Sequence, residues 1–280
     1  MNDIEEVHLR KSAVMHGNEY FLADTTKKWS YNLEEFSFLL HVDRCLKDAC
    51  NLVSKLPTEM TLASCLPDWG DKKNPPKHRL LGMSGAAFRH FLNNLCNIEN
   101  ANYLEIGTFR GSSLICAAYQ NTQVLNEIHA IDNFSEFIPD NDDLHPRIGL
   151  EKNLDLYLES EKEKINFYEE DCFSFDLSKL PKIQIYFYDG EHSRESQRKA
   201  FTYFEPVFAD IFIAVVDDWE QTQVRLGTQD AFSELNYDVI GARAIIPPMR
   251  TDNINRVNNP DAFWWNGTYV AVLKKRKLYD

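Results

Sequence analysis

The sequence predicts an α/β protein: a seven-stranded, doubly wound, mostly parallel sheet with an N-terminal helical extension. Three observations predict it. Apolar runs of strand length alternate with segments of helical period from residue 84 onward. Several of those runs close on an acid, at Asp132, Asp171, Asp189 and Asp217–Asp218. One run, Asn102–Ile106, leads straight into Gly107 and Gly111 and then an apolar stretch from Leu114 to Tyr119, which reads as strand, tight turn and helix.

The elements follow in order. Asn32-Leu-Glu-Glu35 reads as a capping box, with Asn32 accepting from the first turn and Glu35 reaching back. Leu39, Val42, Leu46, Ala49, Val53 and Leu56 continue at helical spacing until Pro57 stops the run. This one-sided helix needs a partner: the domain's own sheet, the active site as a cap, or a second copy, and of these a cap or dimer contact is favoured. Pro67, Asp68-Trp-Gly-Asp71 and Pro75–Pro76 make the next segment too proline-rich for regular structure, a lid or a linker. Residues 1–80 are therefore read as an extension and 81–280 as the main domain. Within it, Phe88, Phe91, Leu92 and Leu95 form a helix before the strand Tyr103–Ile106. Later strands are expected at 127–132, 165–171, 183–189, 211–218, 237–246 and 267–273, with helices between them at 148–158, 193–205 and around 229–235. The last two strands are close enough to pair antiparallel.

Composition narrows the function. A net charge of −13 disfavours nucleic acid, which is held by clustered Lys and Arg. With 44% hydrophobic residues the chain can bury a core, yet no stretch is long enough to span a membrane. Six scattered cysteines without a C-x-x-C pair fit free thiols in a reducing compartment. The acidic start, Met1-Asn-Asp-Ile-Glu-Glu6, shows no signal peptide, so a cytoplasmic location is expected. The sequon Asn266-Gly-Thr268 and the basic run Lys274–Lys277 are read as chance in that setting.

A strand, glycine turn and helix start suit a nucleotide-like ligand beyond the strand ends. The dinucleotide pattern G-x-G-x-x-G is not met, because three residues separate the two glycines. An NAD(P)-linked oxidoreductase would also need a third glycine and a Tyr-Lys type pair that cannot be placed. Instead, Glu105-Ile-Gly-Thr-Phe-Arg-Gly-Ser-Ser113 resembles the first motif of class I S-adenosylmethionine (SAM) methyltransferases, in the form used by small-molecule O-methyltransferases. The resemblance spans about residues 84 to 275 and implies SAM as cofactor. Glu105 and Gly107, with Thr108 and Gly111 in the same motif, would face the methionine portion, and Ser112 or Ser113 would meet its carboxylate. Asp132 would take both ribose hydroxyls, Asp171 the adenine amino group, and Cys172 and Phe173 would flank the base.

Asp189-Gly-Glu-His192 and Asp217-Asp218-Trp219 end neighbouring strands, so their carboxylates can converge, and converging carboxylates call for a hard divalent cation. The arrangement resembles metal-dependent O-methyltransferases of the macrocin and mycinamicin sugar-tailoring type, which implies magnesium on Asp189, Asp217 and Asp218. Neighbouring strand residues face opposite ways, so Asp217 and Asp218 can both ligate only where the chain has left the strand. His192, three residues after Asp189, would be the base, with Asp189 beside it and Glu191 a lesser rival. Trp219, ahead of Trp264 and Trp265, is the aromatic candidate for the acceptor pocket. Pro206-Val-Phe-Ala-Asp210 lacks the family's Pro-Gly-Gly turn, which leaves the acceptor undefined. The expected activity is methyl transfer to a hydroxyl of a small polar acceptor, a sugar or vicinal diol, with a non-catalytic SAM- or nucleotide-binding module as the rival. A homo-oligomer through the N-terminal helix is the one expected macromolecular contact.

Overall fold

The computed structural model describes residues 33–57, 60, 80, 82–136, 145–246 and 264–276. Asn32, the proline-rich segment around Pro67 to Pro76 and residues 277–280 lie outside the described residues. The strands are β1 (Asn102–Ile106), β2 (Glu127–Ile131), β3 (Ile165–Tyr168), β4 (Ile183–Tyr188), β5 (Phe208–Asp217), β6 (Asp238–Ile245) and β7 (Thr268–Lys274). They form one sheet in the order β3-β2-β1-β4-β5-β7-β6. β1 to β5 run parallel, and β7 inserts antiparallel between β5 and β6. Sequence reading placed seven strands with an antiparallel final pair, and this is the topology found.

Helices cover both faces, so the strands are apolar on both sides, as a parallel sheet requires. On one face lie α1 (Leu33–Cys50), α2 (Ala86–Leu95), α3 (Ser112–Ala118) and α4 (Pro146–Tyr157); on the other lie α5 (Arg194–Thr202) and α6 (Thr222–Glu234). β4 shows the division residue by residue. Ile185 and Phe187 join the first core with Phe88, Phe91 and Leu114, whereas Tyr186 and Tyr188 join the second with Phe201 and Phe212.

The N-terminal helix packs on the domain's own sheet, not as a cap over the site. Val42, Cys45, Leu46 and Ala49 are buried in the first core, beside α2 and the β6–β7 edge. Two ion pairs hold it there: Glu35 with Lys274 on β7, and Asp43 with Arg243 on β6 at 2.9 Å. Glu35 thus pairs with a strand lysine, and the capping box expected with Asn32 falls partly outside the described residues. The helix also stops at Cys50, short of Pro57, because Leu52 takes a left-handed φ of 54° and Val53 turns outward at 55% exposure.

A buried arginine ties the start of the domain together. Arg89 donates to Ser84 Oγ at 2.8 Å and to the carbonyls of Met60 at 2.9 Å, Leu80 at 2.7 Å and Gly82 at 3.3 Å. Ser84 Oγ lies 3.3 Å from Ser112 Oγ at the start of α3, so this hub bears on the glycine turn. No helix among the described residues is long and apolar enough to cross a membrane.

Phe187 sits fully buried at the centre of the sheet, 5.4 Å from the ring of Phe88. Phe187→Ala should lower unfolding free energy by about 3–5 kcal/mol, read as an earlier urea midpoint with an unchanged slope.

Candidate active site

The strand order reverses between β1 and β4, which leaves a crevice beyond their carboxyl ends. A cavity of about 620 Å³ occupies it, lined by the ends of β1 to β5. That volume is in the range of small-molecule sites, roughly 300–1,000 Å³.

Its floor is made by an unusually close backbone contact. Gly107 follows β1 with φ +85°, and a Cβ there would stand 2.0 Å from the carbonyl oxygen of Asp189. Only glycine supplies both the left-handed φ and the missing side chain. The Asp189 amide donates to the Ile106 carbonyl at 2.9 Å, so the turn after β1 and the acid after β4 are fastened to one another.

Asp132 organises the turn from the other side. Its Oδ2 accepts from the amides of Thr108 at 2.7 Å and Phe109 at 2.6 Å, and its Oδ1 from the Phe134 amide at 2.7 Å. A carboxylate offers about four acceptor directions, so the three amides leave one, where a grip on two ribose hydroxyls would need two. Asp171, Cys172 and Phe173 also line the cavity, on the β3 side. Burial and the adjacent Asp171 carboxylate push the Cys172 thiol up to about 12, so it stays protonated.

Glu105 departs from expectation. It is fully buried and absent from the cavity wall, because a strand's side chains alternate and Glu105 faces the first core. Tyr103 Oη donates to it at 2.6 Å and Ser113 Oγ at 2.9 Å. Burial raises its pKa from the ordinary 4.5 to about 7, against the pull of those two hydroxyls. Ser113 therefore serves Glu105 and Ser112 meets Ser84, so neither hydroxyl is turned to the cavity, and Thr108 and Gly111 also lie behind its wall. Gly111 opens α3 with φ +78° against Leu150.

The second constellation does come together. Asp189, His192 and Asp218 each bring a ligand atom within 4.8 Å of the others. His192 Nε2 lies 3.1 Å from Asp218 Oδ2 and 3.7 Å from Asp189 Oδ1. Asp217 ends β5, but Asp218 takes a left-handed φ of 52°. That residue breaks the strand's alternation, so both acids line the cavity, which answers the geometric condition set by the sequence. The metal-type cluster nevertheless takes Asp218 and His192 rather than Asp217 as partners of Asp189. Burial, and then the Asp218, Glu105 and Asp132 carboxylates, hold Asp189 well above the ordinary carboxylate range. Asp217 is raised in the same way by burial and by Asp189 and Asp218.

Trp219 lies in the core and not on the cavity wall. It is 6% exposed, stacks on Tyr269 at 4.2 Å and belongs to the second core. Trp264 is core as well, against Phe91. Trp265 and Asn266 line the cavity instead, because Trp265 has a left-handed φ of 51° that turns the chain just before β7. Met83, Glu136 and Gln221 also line it and were not anticipated. Gln221 carried one readable signal, its place three residues after Asp218 at the head of a helical pattern. Its amide donates to Asp218 Oδ2 at 3.1 Å and approaches His192 Nδ1 at 3.3 Å.

With this geometry in place, residues 104–219 match the model of a family described as a methyltransferase domain. That stretch is similar to a methyltransferase domain. The donor of such a domain is SAM, and the match covers less than half of the chain, from β1 to the residue after Asp218. None of the curated proteins matches the sequence. Among solved structures, an O-methyltransferase from Bacillus cereus in complex with SAH is 14% identical, with TM-score 0.45, 84% of this chain and 91% of that one covered. Cofactor-bound Rv0187 from MTB is 14% identical, with TM-score 0.47 and 86% and 91% covered. TrmN from Thermus thermophilus is 14% identical, with TM-score 0.44 and 68% of this chain covered; this chain spans 48% of that one. At such scores the likenesses add nothing to the argument for function, which rests on the domain match and the site.

Two outcomes follow, one from the glycine floor of the cavity and one from the buried carboxylate behind it. Gly107→Ala should cost on the order of 2–4 kcal/mol of stability and abolish SAM binding, measured by thermal melting and calorimetry. Glu105 binds its proton more tightly folded than unfolded, so its contribution to stability is full below pH 4.5 and is lost as pH rises to about 7. A urea series across that interval should show stability falling, by up to about 3 kcal/mol from this group, with a shallower slope in Glu105→Gln.

Proposed function

We propose that this protein transfers a methyl group from SAM to a hydroxyl of a small polar acceptor, a sugar or vicinal diol, with the help of a divalent cation. The observation that carries this reading is the contact of Gly107 with Asp189, which sets the donor's glycine turn beside the Asp189–His192–Asp218 cluster in one cavity. The acceptor oxygen attacks the methyl carbon, the carbon–sulfur bond breaks, and S-adenosylhomocysteine leaves as a neutral thioether. The acceptor's proton must go to a base, so a hydroxyl has to lie against groups that favour its anion.

The cluster suits a cation. Asp218 is 7% exposed, and its Oδ1 is buried with no hydrogen-bond partner. Such an atom is costly unless a positive charge meets it. Asp189 and Asp218 would hold the ion with Asp217 at hand, and a bound divalent ion lowers the pKa of an alcohol that touches it. His192 is placed for either of two roles there, taking the acceptor's proton or joining the cation's ligands.

Charge also bears on the acceptor. Eight carboxylates line the cavity and no lysine or arginine does among the described residues. The sulfonium of SAM and a divalent cation fit that field, whereas a nucleic acid or a phosphorylated acceptor would be repelled. Glu136 and Glu191 add their carboxylates to this wall, which favours neutral or amine-bearing polyols.

The test is methyl transfer from SAM carrying ¹³C in its methyl group to a panel of neutral and amino sugars, with and without a divalent cation. Product carbon shifts in the O-methyl range support the reading, and N-methyl products or no SAM-dependent product overturn it. Asp218→Asn should lower kcat about 10²-fold or more while SAM binding is retained.

A further inference from the structure

We propose that His192 is itself a ligand of the bound cation, through Nε2, and that the site is a mixed nitrogen–oxygen site formed by Asp189, His192 and Asp218. This rests on the cation-assisted reading above and changes the metal it implies.

The first ground is access. A general base must touch the hydroxyl it deprotonates. His192 keeps about a third of its side-chain surface, 31%, but Nε2 itself is buried. The exposed part of the ring is elsewhere, and the nitrogen faces the two carboxylates.

The second ground is direction. Nε2 stands 3.1 Å from Asp218 Oδ2, close enough for a hydrogen bond, yet it makes none. The ring's in-plane axis at Nε2 therefore runs past that oxygen. Asp189 Oδ1 is 3.7 Å away and is not bonded to it either. Three donors thus crowd one point without bonding each other. Two ligands at right angles on an ion with bonds of about 2.1 Å are about 3.0 Å apart, and tetrahedral ones about 3.4 Å. The observed spacings need only small adjustment to meet at one ion. Asp218, nine-tenths buried and with one oxygen lacking any partner, is the independent sign that a charge belongs there.

The third ground is orientation. Gln221 reaches both the far nitrogen, Nδ1, and Asp218 Oδ2. A metal-bound histidine donates its second N–H to an acceptor, so with the ion on Nε2 the Gln221 carbonyl oxygen would turn to Nδ1 in place of the NH2 that lies there now.

The donor set has a consequence for the metal. Carboxylates alone suit magnesium, whereas an imidazole in the set favours first-row transition ions. The site should therefore prefer Mn²⁺ over Mg²⁺.

Pulsed EPR of the full-length protein loaded with Mn²⁺ tests this directly. The expected result is a ¹⁴N coupling that changes to ¹⁵N when the histidines are labelled, and that His192→Ala removes. Mn²⁺ bound with no nitrogen coupling, no Mn²⁺ binding, or a coupling that persists in His192→Ala would each overturn it. Competition titrations should show Mn²⁺ preferred over Mg²⁺ in the wild type and the preference lost in His192→Ala. Gln221→Ala should weaken Mn²⁺ by about 10–100-fold. SAM calorimetry on the same samples separates the two readings. Absence of SAM binding with the nitrogen coupling intact removes the methyltransferase reading and leaves the metal site standing, and SAM binding without the coupling does the reverse.

Discussion

Everything at the site depends on the absence of one side chain. β1 and β4 are neighbours in the sheet, and the chains leaving them press together so closely that a Cβ on Gly107 would sit inside the carbonyl of Asp189. That contact determines where two different kinds of chemistry meet. On one side of it lies a turn whose amides are held by Asp132; on the other lies the acid that begins the Asp189–His192–Asp218 cluster. A wider gap would still leave a seven-stranded sheet. It would separate the glycine turn from the Asp189–His192–Asp218 cluster, and on the proposed reading proximity of that kind is a large part of what a transfer enzyme supplies.

The elements themselves were legible because the pattern along the chain is nearly redundant. A strand buried on both faces must be apolar throughout, and β4 and β5 read that way in sequence. The helices between them show one apolar face, and the glycine turn marks where the first strand ends. What the sequence could not show was which of several apolar faces α1 would use. Its stripe of Val42, Leu46 and Ala49 is equally suited to a second copy, a cap or a sheet. The decision lies in two charges more than 190 positions away, Arg243 and Lys274, which meet Asp43 and Glu35. Pairing at that separation leaves no local trace.

The site was legible by residue type and less so by direction. Acids at strand ends gather in the crevice because every parallel strand delivers its last residue to the same edge. Direction needs φ and ψ. Glu105 is only two positions from Gly107, yet strand alternation turns it into the core, where Tyr103 and Ser113 hold it. Trp219 follows Asp218 by one residue and is carried into the second core, onto Tyr269. Trp265 reaches the cavity because the chain takes a left-handed turn ahead of β7, at a residue that is neither glycine nor asparagine.

The same kind of turn at Asp218 shows what the site asks of the fold. An aspartate with positive φ is mildly strained, and its carboxylate is then buried beside two others and a histidine. Each feature disfavours the folded chain by itself. Burial and mutual repulsion keep Asp189 and Asp217 reluctant to ionise, so the arrangement is least comfortable at the neutral pH where carboxylates would normally be charged. Stability alone would replace such a cluster with apolar residues. Its tension is relieved by protons held on the acids or by positive charge arriving in the cavity, and the wall supplies none of its own from lysine or arginine among the described residues. On the reading proposed above, a sulfonium donor and a divalent ion would supply it from outside. On that proposal, the left-handed turn at Asp218 is what brings its carboxylate to the cation.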